Sequence, residues 1–238
     1  MGNSQSELRI TNYELRIKNM IDLPATTVFS RRIPKQKFYE NLSVTPALRR
    51  VFIDQISTVI WQNKIAASTA NITQGETVTE LEVFEIRLST PELDQSVLQL
   101  IDREIPYHIL FILTHDHQAQ AWIGYKEAAQ SGTKAFKVSA YYHTPWMPEE
   151  QLSLRMEGTT TDAIYEGFVR QIAGDALRPA DADETVPLDQ AVANAQRREK
   201  LQRQIDALQK KVDKEKQFNR RIEMNQELKR LRLQLEQL

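Results

Sequence analysis

Between Thr45 and Ala173 the apolar residues switch between a helical and a strand spacing. Thr45 before Pro46 reads as a helix N-cap with proline at the first helical position, and Leu48, Val51, Phe52, Gln55, Ile56, Val59 and Ile60 follow at helical intervals. This predicts a helix of about four turns with one flank on a core. Thr90 and Pro91 open a second helix with Leu93, Val97, Leu98 and Ile101 inward, and Pro106 stops it. A third starts at Thr161 or Asp162 and buries Ile164, Tyr165, Phe168, Val169 and Ile172.

Four segments have strand character. Val78 to Leu88 mixes acids with large apolar residues, and His108 to Thr114 is almost continuously apolar, as in a central strand. Ala119 to Glu127 and Phe136 to Tyr142 alternate with period two. Short connections make the last three an antiparallel meander, whereas the helix between the first two permits a crossover. The expectation is an α+β body with a mixed, partly antiparallel sheet and packed helices on one side.

The C-terminal stretch follows a different rule. Leu201, Ile205, Leu208 and Val212 are separated by steps of four, three and four; Leu228, Leu231, Leu235 and Leu238 by three, four and three. Both sets fit a coiled-coil-like seam. Leu228 nevertheless lies 23 residues beyond Ile205, two more than three heptads, so the intervening segment needs altered winding, a turn or a different partner. Either two copies pair through Leu201, Ile205, Leu208 and Val212, or the tail breaks near Gln217 to Asn225 and closes as a hairpin.

Charge reinforces this division. The 238 residues carry 31 basic and 32 acidic side chains, yet residues 194–238 alone hold 13 basic and 7 acidic, a net of +6. The rest is acidic. Between body and tail, Gly174 to Gln190 has five acids, one base and two prolines, the composition of a linker. The units expected are a duplicated extension over 1–22 (ELRITNY then ELRIKNM), a body over 23–173, an acidic linker over 174–190 and a helical tail over 191–238.

The chain has no cysteine, which excludes disulfides, thiolate zinc sites and cysteine nucleophiles. No apolar run reaches transmembrane length and no apolar signal core opens the sequence, so a cytoplasmic protein without membrane contact is expected. Nucleophile-elbow, zinc-helix, phosphate-loop and dinucleotide patterns are all missing. His115 and His117 flank Asp116 at a spacing that suits two metal ligands and equally suits a polar turn.

The acidic strand is the richest chemical feature. Period two puts Glu80 and Glu82 on the face of Phe84 and Ile86, with Glu85 and Arg87 opposite. With Lys64 or Lys126 as the cation, these acids form either structural ion pairs or the core of a divalent-metal-dependent nuclease or other hydrolase using Mg²⁺ or Mn²⁺. Glu85-Ile86-Arg87 is similar to a nuclease E-x-K arm, but arginine replaces lysine and no preceding strand with a metal-binding Asp is apparent. Outside that alternative no cofactor is expected.

The blocks IPKQKFYENLSVTPALRRVFIDQISTVIWQNKIAASTANI, VTELEVFEIRL, IDREIPYHILFIL, WIGYKE, SAYYHTPW and KEKQFNRRIEMNQELKRLRLQLEQL occur in this order. Together they resemble the bacterial family catalogued as domain of unknown function 4391, from about Ile33 to Leu238. Trp61, Lys64, Thr69, Glu80, Glu85, Pro106, His108, Lys126, Thr144 and Trp146 are its family-like positions. Members of that family are often encoded near restriction-type DNA methyltransferases and helicases. The resemblance therefore implies an accessory or adaptor protein of a defence system, with a protein partner or a second copy held through Leu201, Ile205, Leu208, Val212, Leu228, Leu231 and Leu235. Direct nucleic-acid contact by the basic tail is a further reading, blunted by its interspersed acids.

Overall fold

The computed structural model describes residues 20–40, 44–128, 136–178 and 186–237. The duplicated repeat lies outside the described residues, as does most of the acidic stretch, residues 179–185. The chain divides into two compact units, Met1–Ala173 and Gly174–Leu238.

In the first unit a short strand β1 (Ile21–Asp22) precedes a seven-stranded sheet. Strands β2 (Val28–Ile33), β3 (Ile56–Ile65), β4 (Leu81–Leu88), β5 (His108–His115), β6 (Gln118–Ala128) and β7 (Phe136–His143) stand side by side in chain order, and β8 (Met147–Pro148) pairs with the start of β6. Strand β9 (Leu154–Arg155) returns to β1 in parallel. The helices are α1 (Gln36–Glu40), α2 (Pro46–Asp54), α3 (Gln95–Glu104) and α4 (Thr161–Ala173), followed in the second unit by α5 (Leu188–Lys214) and α6 (Phe218–Glu236).

The mixed sheet follows from its connections. Strands β4 and β5 run parallel because α3 carries the chain back between them; every other neighbouring pair from β2 to β7 is antiparallel. The β5–β6 turn has only two residues, Asp116 and His117, with φ of 43° and 61°. Positive φ at both central positions gives the turn a twist that matches the strands it joins.

The helix expected from Thr45 onward is half its predicted length. Thr45 does cap it, its hydroxyl accepting from the Leu48 amide at 3.2 Å, but α2 ends at Asp54 and Ile56–Ile65 form β3. Ile56, Val59 and Ile60 satisfy both periods, and their β-branched side chains favour the pleated surface beside β4. Strand β2, with adjacent Arg31 and Arg32, was not apparent from alternation. Helix α3 starts later than Thr90-Pro91 suggests: Asp94 is its N-cap, accepting from the Ser96 amide at 2.9 Å.

One core lies between the sheet and α2 and α3, with Phe52, Val97, Leu98 and Ile101 packed among Val59, Phe84, Ile86, Phe111 and Leu113. Helix α4 does not share it. Its Tyr165 ring stands 4.4 Å from His108, which points away from the face of Ile109 and Phe111. Helices thus flank both faces, because β5 is apolar on both and each needs cover.

In the second unit α5 stops where Glu215 turns extended, and three residues later α6 begins. The helices form an antiparallel hairpin. Ile205, Leu228 and Leu231 are its buried centre, with Leu201, Leu208 and Leu235 packed against them, and Val212 is buried as well. The out-of-phase leucine sets are reconciled by the break. No helix among the described residues is long and apolar enough to cross a membrane.

Candidate functional site

Strand β3, pairing Lys64 with Glu82 and Trp61 with Phe84, determines where the acids go. A register shift between Trp61 and Asn63 lets Trp61 and Lys64 share the face of Glu80 and Glu82. Lys64 Nζ meets Glu80 Oε2 at 2.8 Å in a half-buried ion pair, and that bond raises the lysine's pKa. Trp61 Nε1 donates to Glu82 Oε2 at 2.6 Å.

Glu82 is 1% exposed, and its other oxygen, Oε1, has no hydrogen-bond partner among the described residues. Burial pushes its carboxyl up to about 7, with neighbouring Glu80 adding to the rise and the indole bond opposing it. Near neutral pH Glu82 is therefore shared between acid and carboxylate forms. The acid form has a proton to give to Glu80.

Glu85 lies on the opposite face in a separate set of contacts. Gln62 Nε2 donates to Oε2 at 2.5 Å, while Arg87 Nε and Nη2 bind Oε1 and Oε2 at 2.7 and 3.1 Å. Thr114 Oγ1 is 3.5 Å from Oε1, and Ser30 Oγ, at φ 45°, donates to Gln62 Oε1 at 3.5 Å. The preceding strand that the sequence did not reveal is β3, and it presents the Gln62 amide where a metal site would need a carboxylate. Donors from Gln62 and Arg87 occupy the lone pairs a cation would use.

Lys126 joins none of these acids. Its fully buried ammonium is 2.9 Å from Asp102 Oδ1 and also donates to the main-chain oxygens of Asp102 and Tyr107 at 3.2 and 2.5 Å. Three oxygen acceptors match its three N–H donors. Tyr141 donates to Asp102 Oδ2 at 2.6 Å. Burial pushes Asp102 up and Lys126 down, each opposed by the attraction of the other, and the same burial with the Asp102 charge raises Tyr141.

The histidines are structural. His115 Nδ1 lies 3.2 Å from the Leu88 carbonyl oxygen, and His117 belongs to the two-residue turn. His108 is buried between Phe136 and Tyr165, and burial, followed by the Lys126 charge, depresses its imidazole to about 3. Among the described residues no group of three His, Asp or Glu side chains could hold a metal ion. Trp122, Tyr141 and Trp146 pack partly buried against the main core instead of forming an exposed aromatic platform.

An open groove of about 480 Å³ runs between α3 and β7, lined by Gln95, Gln99, Arg103 and residues 136–141. None of Glu80, Glu82 or Glu85 lines it. The expected charged residues thus separate into three sites: Lys64 with Glu80 and Glu82, Glu85 with Gln62 and Arg87, and Lys126 with Asp102 and Tyr141. Asp102 and Gln62 were missed as partners. An acid beside Ile101 on the inner flank of a helix was the available sign of the former.

The tail leaves a different surface open. Phe218, Ile222 and Leu233 of α6 are 67%, 41% and 49% exposed, although Leu228 and Leu231 of the same helix are buried. A family model described as Domain of unknown function (DUF4391) matches residues 21–235. No curated protein matches, and no solved structure does.

Proposed function

The chain belongs to the DUF4391 family, and from that premise we propose that it is a cytoplasmic accessory protein, an adaptor that works beside a restriction-type DNA-modifying or DNA-translocating complex. The observation that carries this reading is the second apolar stripe of α6, which remains exposed after the hairpin seam has closed within one chain. Contiguous exposed apolar residues on a soluble helix are characteristic of interaction surfaces.

The body supports the same reading. Glu80, Glu85 and Asp102 each have a cationic partner within 2.7 to 2.9 Å, and no three-ligand cluster stands among the described residues. This weighs against the metal-dependent nuclease. The association with DNA methyltransferases or helicases rests on the family resemblance alone.

Affinity isolation of the tagged full chain at native expression tests the proposal. A DNA-modifying or DNA-translocating enzyme should co-purify in near-stoichiometric amount and be lost from the Phe218→Ser/Ile222→Ser chain. A protein that remains free, or one that cleaves DNA or RNA with Mg²⁺ or Mn²⁺, is not the adaptor described.

A further inference from the structure

The exposed stripe of α6 has a register. From Phe218, steps of four, three, four and three reach Ile222, Asn225, Lys229 and Arg232, the spacing of a coiled-coil seam on the face away from Leu228, Leu231 and Leu235. Leu233 flanks it and is 49% exposed. The first half of the seam is apolar, whereas the second half carries two cations.

A polar residue at a seam position selects the partner that can satisfy it. A second copy aligned on this face would bring Lys229 and Arg232 into the field of their own kind, within a tail of net charge +6. The N-terminus of α6 adds to the asymmetry. Its first turn contains no acid and carries Arg220 and Arg221, and its N-cap Gln217 makes no side-chain bond to the helix. Glu215, 3.6 Å from Arg220, answers one of these cations. Positive charge at the positive end of a helix is unfavourable until an anion approaches.

We propose that the Phe218–Ile222–Lys229 face of α6 docks an acidic amphipathic helix of a partner protein. Apolar residues of that helix cover Phe218, Ile222 and Leu233, while its carboxylates meet Lys229 and Arg232. This rests on the adaptor reading and specifies the chemistry of its partner.

A photo-cross-linking residue placed at Ile222 or Leu233 of the full-length chain, in its native host, tests the docking face. Adducts are expected in a segment with apolar residues at heptad spacing and an excess of Asp and Glu. The same residue at Glu223 or Glu227, on the other flank, should give at least tenfold less. Lys229→Glu should reduce the adduct at least tenfold with an unchanged melting curve, and Lys229→Arg should restore it.

Adducts at twice the chain mass would assign the face to a second copy, and adducts to nucleic acid would assign it to a phosphate backbone; either overturns the proposal. Equal yields from both flanks, a neutral or basic target segment, or no adduct also overturn it. If affinity isolation recovers an enzyme whose adducts arise only elsewhere on the chain, this face is wrong while the adaptor reading stands. If nothing is recovered at all, both fail.

Discussion

The Asp162 carboxylate occupies the space that a side chain on Gly75 would need: a Cβ added there would lie 2.3 Å from Asp162 Cγ. Asp162 accepts from the amides of Glu76 and Val78 at 2.8 and 2.7 Å and from the Thr77 hydroxyl at 2.9 Å. Thr161 Oγ1 accepts from the Gly75 amide at 2.7 Å and donates to the Val78 carbonyl. The start of α4 thereby holds the segment that leads into β4. Gly75→Ala should destabilise the body by about 1–3 kcal/mol, measured by urea unfolding, because the carboxylate must vacate its site. A neutral result would mean that the clasp yields without cost.

Acid should weaken the same clasp. Burial works against ionisation of Asp162, but the amides of Val78, Thr77 and Glu76 and the Thr77 hydroxyl outweigh it and lower the carboxyl's pKa. A depressed folded-state pKa contributes stability above the ordinary aspartate range and loses it as pH falls through the folded value. Asp162→Asn should therefore cost stability at pH 7 and progressively less below pH 4, read from denaturation midpoints across that range.

Glu82 has the opposite sign. Its folded pKa is raised from 4.5 to about 7, so the native state holds a proton that the unfolded chain releases between those values. Stability falls as pH rises through that window, and the full penalty persists above it. Glu82→Gln keeps an acceptor for Trp61 and gains a donor toward Glu80. It should be nearly neutral at pH 4.5 and more stable by about 2–3 kcal/mol at pH 8. Tryptophan-monitored denaturation at both pH values decides the matter, and a less stable variant at pH 8 would reverse the assignment.

The Lys126–Asp102 pair should behave as a unit. Lys126→Met or Asp102→Asn alone leaves a buried charge or acceptor set without its partner, at about 3–5 kcal/mol. The double variant Lys126→Met/Asp102→Leu should cost clearly less than the sum of its single changes, giving a coupling of at least ~1 kcal/mol in a double-mutant cycle. Simple additivity would show that the 2.9 Å contact has no energetic weight.

In the tail, Ile205→Asp puts a charge into the buried centre of the α5–α6 hairpin. Far-ultraviolet circular dichroism should lose helix signal while the near-ultraviolet spectrum of the body persists, since Trp61, Trp122 and Trp146 all belong to the first unit. Concerted loss of both signals would make the two units one cooperative structure.

Much of this architecture was legible in the sequence. Strands β4 to β7, the inward residues of α3 and α4, and both leucine sets of the tail could be read from period alone. The arithmetic mismatch between Ile205 and Leu228 pointed to the break that the hairpin uses. Strand β3 was hidden because Gln55, Ile56, Val59 and Ile60 extend a well-capped helix pattern, and only pairing with β4 overrides it. Losing β3 concealed the contacts of Trp61 with Glu82 and of Gln62 with Glu85. The Asp102 pair was concealed for another reason, since residues 24 apart in sequence meet only when α3 is laid on β6.

Strands β2 to β7 occupy the sheet in the order in which they occur along the chain. During synthesis each strand can add to the edge its predecessor has just presented, so the nascent sheet grows from one side without rearrangement. The slow addition is β5, which must wait for the α3 crossover to close a parallel pair. Two contacts between early and late chain come last: β1 with β9, and Gly75–Val78 with Thr161 and Asp162. A ribosome-bound fragment ending before Leu154 would carry the assembled strands but neither fastening, leaving it more open to protease than the released chain.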